Sequence, residues 1–196
     1  RQALSIHPLL VGGNPFDTTS IYALIHYLER KWGVFFCMGG TGKLVTELHR
    51  LLERSGVIVL LNTDIDKIQV DGRRVKAALT ADGRCLSADR IIFNGDPPTF
   101  YKYMMPTHSR RWKKALPESV TKYSMGLFVL FFGTKRTYED VAHHTIWMGE
   151  RYRELLDDIF NKKILADDFS LYLHRPTATD KSFAPEECDS FYVLCP

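Results

Sequence analysis

Val34-Phe35-Phe36-Cys37-Met38-Gly39-Gly40-Thr41-Gly42-Lys43 opens the stretch that decides the fold, and Asn94-Gly95-Asp96-Pro97-Pro98 closes it. Between these ends the sequence predicts a glycine turn and an amphipathic helix over about residues 42–55. Leu44, Leu48, Leu51 and Leu52 recur at helical spacing as a buried stripe. Gly56 is a left-handed stop. Val57–Leu61 is a short continuous apolar run, as in a strand covered on both faces. Asn62, Thr63 and Asp64 break it, and Ile65, Ile68 and Val70 resume in looser spacing. Asp71-Gly72 and Asp82-Gly83 suit two-residue turns with positive φ, so residues 73–80 and 84–88 read as hairpin strands. Arg90–Phe93 reads as a second buried strand. This is the pattern of a piece of a nucleotide-binding α/β domain, where ligands gather beyond the carboxyl ends of strands. The Asn94-Gly95-Asp96-Pro97 turn sits at such an end.

The glycine turn invites a phosphate-loop reading, and that reading fails. The motif needs a glycine where Cys37 stands, and a Ser or Thr after the lysine to hold magnesium, where Leu44 stands. A glycine turn feeding a helix N-terminus remains. Its free N–H groups are expected to face a phosphate or a flavin edge.

The flanks are apolar and aromatic. Asp17, Thr18 and Thr19 offer cap chemistry for a helix from about Ser20, with Ile21, Leu24, Ile25 and Leu28 on one face and Gly33 at its end. His26 near that face reads as a satisfied boundary histidine. Residues 99–117 look helical and amphipathic. Leu127–Phe132 reads as a buried aromatic strand, Thr145–Met148 as another, and residues 151–161 as a helix with Tyr152, Leu155, Leu156 and Ile159 in register. Residues 169–173 alternate as a half-buried strand, and Ser190–Cys195 is a last one. Adjacent His143 and His144 on a strand should point to opposite faces, so no metal site is expected there.

With 196 residues, 45% of them hydrophobic, the chain can bury one large core or two small ones. A net charge of +3 without a long Lys/Arg run argues against a nucleic-acid footprint. The densest basic cluster, Arg110, Arg111, Lys113 and Lys114 around Trp112, reads as a solvated helix face. Its alternative is a patch on anionic lipid headgroups. Cys37, Cys85, Cys188 and Cys195 show no paired or metal-ligand spacing and read as reduced thiols. The apolar run Met125–Gly133 is too short to span a bilayer. The chain starts at Arg1 and stops just after the strand-like run Phe191–Cys195, which reads as an internal fragment.

The central block resembles the middle of FAD-dependent desaturases and amine oxidases. Its landmarks are Gly39-Gly40, helix, Gly56, Asn62-Thr63-x-Ile65-x-x-Ile68, hairpin, Ala88-Asp89-x-Ile91-Ile92-x-Asn94-Gly95-Asp96. The flanks narrow the likeness. Ser5–Phe16, Ser20–Ile25, Ala142-His143-His144-Thr145, Arg151-Tyr152-Arg153 and Asp168–His174 resemble bacterial-type phytoene desaturases, and the likeness covers essentially the whole chain.

The resemblance implies an α/β fold of mixed α+β character, part of a discontinuous FAD-binding Rossmann-like domain with an inserted mixed-sheet substrate domain. Residues 1–35 and 99–196 would belong to the substrate domain and 36–98 to the FAD domain. It implies an FAD-dependent oxidoreductase that inserts conjugated double bonds into phytoene, an apolar C40 polyene. It also implies a cytoplasmic protein held peripherally on the inner membrane, with oligomers allowed. Ile65 would pair its backbone with the adenine edge, Gly39 and Gly40 match the glycine pair, and Asn94 and Gly95 match a turn near the cofactor. No catalytic residue is selected. His7 and His174 are the first polar groups to test for acid–base work. Phe128, Phe131, Phe132, Trp147 and Tyr172 are candidate walls of a polyene tunnel. The dinucleotide fingerprint and the C-terminal flavin segment are expected outside this stretch, so the stretch alone should be inactive. Sister readings are a carotenoid isomerase, a desaturase-type oxygenase or a retinoid saturase. A reading from another class is a non-catalytic apolar-ligand or membrane-surface module.

Overall fold

The computed structural model describes residues 2–106 and 123–196. The chain divides into two compact units, one of Arg1–Leu51 with Ser124–Pro196 and the other of Leu52–Tyr123. The described residues form a mixed α/β structure with two antiparallel sheets.

In the first unit β4 (Phe128–Thr134), β5 (His144–Trp147), β6 (Leu171–His174) and β7 (Asp189–Cys195) form a four-stranded sheet in the order β4-β7-β6-β5. The register sets His144 opposite His174 and His174 opposite Tyr192. It likewise sets Ile146 opposite Tyr172 and Tyr172 opposite Leu194. Side chains alternate along a strand, so these six share one face. Helix α1 (Ile6–Leu10) and helix α2 (Ala23–Trp32) belong to this unit. Gly33, at φ 82, ends α2 where the sequence places the stop.

The core of this unit rests on α4 (Tyr152–Asp157). Tyr152, Leu155 and Leu156 are buried at the expected i, i+3, i+4 spacing. Full burial of one leucine contributes about 1.5–3 kcal/mol. The helix passes into a wider turn, Asp158–Lys162, and stops at Lys163 in the left-handed region. Asp189 is buried at the start of β7. It accepts from the Thr177 hydroxyl at 2.5 Å, the Tyr138 N–H at 2.7 Å and Arg175 at 3.2 Å. A charge taken out of water survives because its oxygens are hydrogen-bonded.

In the second unit β1 (Ile65–Asp71), β2 (Arg74–Thr80) and β3 (Cys85–Ser87) form an antiparallel meander. Both Asp-Gly pairs make hairpins, but only the first has a two-residue connection, Gly72-Arg73 between the paired Asp71 and Arg74. The second is longer. Gly83 takes φ 88 and donates to the Thr80 carbonyl, and the Thr80 N–H donates to the Arg84 carbonyl.

Helix α3 (Gly40–Arg54) begins earlier than the sequence suggests. It closes as expected. Gly56 at φ 76 donates to Glu53, and Val57 donates to Leu52, satisfying two terminal carbonyls.

Four expectations of burial are corrected. Residues 57–61 and 90–93 are not strands, and Ile58 and Ile92 are 84% and 96% exposed. Leu44, Leu48, Leu51 and Leu52 share one side of α3 but stand in solvent. Phe128 and Phe131 of β4 are exposed, because β4 is an edge strand with an apolar side chain at almost every position. The shared reason is that apolar patterning records what a segment can bury, while burial needs a partner surface. The expected helix over 99–117 stops at Met105, which is extended, and its basic cluster, Arg110 to Lys114, lies outside the described residues. Its start is a short helical segment, Pro97–Met104, capped by Asp96.

Candidate functional site

Two concavities flank the sheet of the first unit. One is an apolar pocket of about 280 Å³, lined by Ile6, Leu9, Ile146, Met148, Tyr172 and Leu194 among others. The other is a groove of about 630 Å³, lined by Phe36, Gly40, Phe131, His174, Phe183 and Tyr192 among others. Of the candidate tunnel residues, Tyr172 lines the pocket and Phe131 and Phe132 line the groove. Phe128 and Trp147 are exposed.

His174 of the groove lining belongs to a histidine cluster. His143, His144 and His174 hold ring nitrogens within 4.8 Å of one another. The sequence argument that neighbouring histidines diverge does not apply, because β5 starts at His144 and His143 precedes it. His143 Nε2 meets His174 Nε2 at 2.7 Å, and His143 Nδ1 meets the Thr179 hydroxyl. The 2.7 Å contact fits two rings sharing one proton. His144 Nδ1 lies 2.6 Å from the Tyr172 hydroxyl.

Burial, reinforced by His143 and His144, pushes the His174 pKa down to about 4. His143 is lowered by burial, then by His144 and Arg175, and His144 by burial. Burial, reinforced by Tyr192, pushes the Tyr172 phenol upward. Near neutral pH the imidazoles are therefore neutral and the phenol keeps its proton. In that state the Tyr172 hydroxyl donates to His144 Nδ1.

His7, the other histidine singled out for acid–base work, donates Nε2–H to Glu29 at 2.9 Å and stacks on His26 with ring centroids 4.2 Å apart. His26 in turn donates to the Leu4 carbonyl at 3.2 Å. These contacts tie α1 to α2.

The glycine pair is committed within the first unit. The Gly39 N–H donates to Asp180 Oδ2 at 2.7 Å. A Cβ on Gly40 would stand 2.7 Å from Phe183 Cζ. The start of α3 thus has a carboxylate beside it, bonded to the Gly39 N–H.

Ile65, Asn94 and Gly95 lie in the second unit. Ile65 lies opposite Thr80, and the Ala81 N–H donates to the Asp64 carbonyl at 2.9 Å. Ile65 and Thr80 are thus a non-hydrogen-bonded pair, and the Ile65 N–H and C=O point away from β2. β1 is an edge strand among the described residues. A backbone donor and acceptor on such an edge fit an adenine ring. The Asn94-Gly95 turn is exposed and is followed by Asp96, whose carboxylate accepts from the Thr99 N–H at 2.9 Å and hydroxyl at 2.6 Å.

Residues 1–169 match the flavin-containing amine oxidoreductase family. The chain belongs to this family. Membership of the family implies FAD as the cofactor. It is 49% identical, over 196 residues, to the lycopene-forming phytoene desaturase of Pseudescherichia vulneris. Identity is 42% to the neurosporene-forming phytoene desaturase of Cereibacter sphaeroides, and 35% to the 4,4'-diapolycopen-4-al dehydrogenase of Metabacillus indicus. Each alignment covers 100% of this chain and 40%, 38% and 38% of the respective relative. The chain thus spans about 40% of the length of the curated relatives it matches.

Asp180 and the Tyr172–His144 bond went unseen in the sequence. Both join segments distant along the chain, and neither falls in a short motif.

Proposed function

We propose that this chain supplies part of an FAD-dependent phytoene desaturase, which inserts conjugated double bonds into phytoene on the way to lycopene or neurosporene. The observation that carries the reading is near-half identity, along the whole chain, to relatives named as phytoene desaturases. Bound FAD supplies a hydride acceptor. The chain's own residues bind, orient and keep dry. Backbone groups of Ile65 read adenine, and the Asn94-Gly95 turn lies near the cofactor. Gly39 and Gly40 act as the hinge where the chain leaves the substrate domain, residues 1–35 and 99–196, for the FAD domain, residues 36–98. The apolar pocket between Leu9, Ile146, Met148 and Leu194 seats part of the polyene and excludes water.

The proposed location is the cytoplasmic face of the inner membrane, from which so apolar a substrate can be drawn. Among the described residues no helix is long and apolar enough to cross a membrane. Oligomers are compatible with this arrangement, and the 196 residues alone are proposed to be inactive.

The test is expression of the complete open reading frame in phytoene-accumulating cells, with the pigment read by absorption. Coloured polyenes are expected. Unchanged phytoene beside a folded, FAD-loaded protein would sink the assignment.

A further inference from the structure

Removing hydrogen from a polyene leaves a proton to dispose of, and an apolar pocket offers few acceptors. Tyr172 is the phenol in the lining of the 280 Å³ pocket. Its hydroxyl lies 2.6 Å from Nδ1 of His144, and His144 is exposed to solvent. The two residues sit on neighbouring strands with stacked rings, centroids 5.8 Å apart. We propose that Tyr172 and His144 form the proton exit of the pocket, which rests on the desaturase reading.

The step balances. With FAD bound, one C–H bond of the substrate would give up a hydride, two electrons and a proton, to that acceptor. The pair of the neighbouring C–H bond becomes the new π bond. Its proton passes to the Tyr172 oxygen while the Tyr172 proton passes to His144 Nδ1. The imidazolium then loses one proton to water and returns to the neutral tautomer with Nδ1 free, while the phenol keeps the proton it took from the substrate.

Several charges and dipoles shape this route. His143, His174 and Tyr192 face the pair within the sheet, and Arg175 adds positive charge next to His143. Partial burial disfavours the charged form of His144, so the ring is neutral before the transfer and releases the proton afterwards. A weak base suffices, because a proton beside a carbon that has lost hydride is strongly acidic. The His143–His174 pair at 2.7 Å holds the other two imidazoles on each other, leaving His144 as the ring bonded to Tyr172.

The test uses the complete FAD-loaded protein and its Tyr172→Phe and His144→Gln variants. The first readout is acylation of His144 by diethylpyrocarbonate, followed by peptide mass spectrometry. Faster labelling in Tyr172→Phe is expected, because the hydroxyl no longer engages Nδ1. The second is anaerobic flavin bleaching by phytoene in light and heavy water. Both variants are expected to bleach roughly 100-fold more slowly, the low end of acid–base contributions, and to lose the solvent isotope effect. Phytoene affinity should stay within about twofold, which a merely collapsed pocket would not preserve. Unchanged labelling, or unchanged bleaching in either variant, overturns the proposal. A wild-type protein that phytoene never bleaches overturns the desaturase reading and the proton role with it, while labelling still registers the hydrogen bond.

Discussion

The backbone N–H of Gly39 donates to the carboxylate of Asp180 at 2.7 Å, across 141 residues of sequence. The side chain of Ser182, then the N–H groups of Gly39 and Ser182, hold the Asp180 carboxyl below the usual carboxylate range. A carboxylate at the entry to α3 also suits the partial positive charge of a helix start. Asp180→Ala should lower the melting temperature by about 2–4 °C, the scale of a lost cap in a chain this size. Asp180→Asn, which keeps an acceptor, should recover most of it. Calorimetry of the three proteins checks the order.

Gly40 combines two demands. Its φ of 79 disfavours any side chain, and a Cβ would meet Phe183 at 2.7 Å. Gly40→Ala should cost more than the roughly 1–2 kcal/mol of left-handed strain. Adding Phe183→Ala should return the steric part and leave the backbone part. Equal stabilities for the single and double variants, by denaturant unfolding, would show that Phe183 yields freely.

Asp189 is the stake of the buried polar network. Burial raises its pKa, but the bonds from Thr177 and Tyr138 and the charges of Arg175 and Lys181 outweigh that and hold the carboxyl low. Removing one partner of a buried pair strands the other. Asp189→Ala should therefore destabilise by about 3–5 kcal/mol. Thr177→Val, which removes one donor and keeps the shape, should cost about 1–3 kcal/mol. Urea unfolding checks both.

The histidine cluster sets a pH window. His174 has a folded pKa of about 4, below the roughly 6.5 of an unfolded histidine. Between these values the unfolded chain binds more protons, so stability is full above about pH 6.5 and falls toward pH 4. His143 and His144 are shifted the same way. The depressed carboxylates act at lower pH, since their stabilisation is lost only as pH falls through and below the ordinary carboxylate range. His174→Gln should reduce the fall in melting temperature between pH 6.5 and 4, the remainder belonging to His143 and His144, and leave the acid limb in place. A profile unchanged by the substitution would put the titration elsewhere.

What the sequence made legible was local. Gly33 and Gly56 stop their helices, both Asp-Gly pairs turn hairpins, and Tyr152, Leu155 and Leu156 are buried in the expected register, because each signal lies within a few residues. The His143–His174 contact and the Tyr172–His144 bond follow from the β5–β6 register, which no local pattern specifies. The runs 57–61 and 90–93 failed as strands for a related reason. Their composition states a preference for burial, and among the described residues no strand pairs with them.

That unmet preference yields the last prediction. Phe35 and Leu165 of the first unit are 86% and 82% exposed, and Ile58 and Ile92 of the second are 84% and 96% exposed. The chain spans about 40% of its relatives' length, so a longer protein has the material to cover these side chains. The 196 residues alone should bind a hydrophobic dye strongly and self-associate at micromolar concentration, and the complete protein should do neither. Ile92→Lys separates the two settings. In the isolated chain the lysine stays in water and should change stability by less than about 0.5 kcal/mol. In the complete protein it would bury a charge without a partner, costing several kcal/mol or forcing the lysine neutral. Equal tolerance in both settings would show that Ile92 faces solvent in the complete protein too, and that its apolar character serves a membrane or a partner instead.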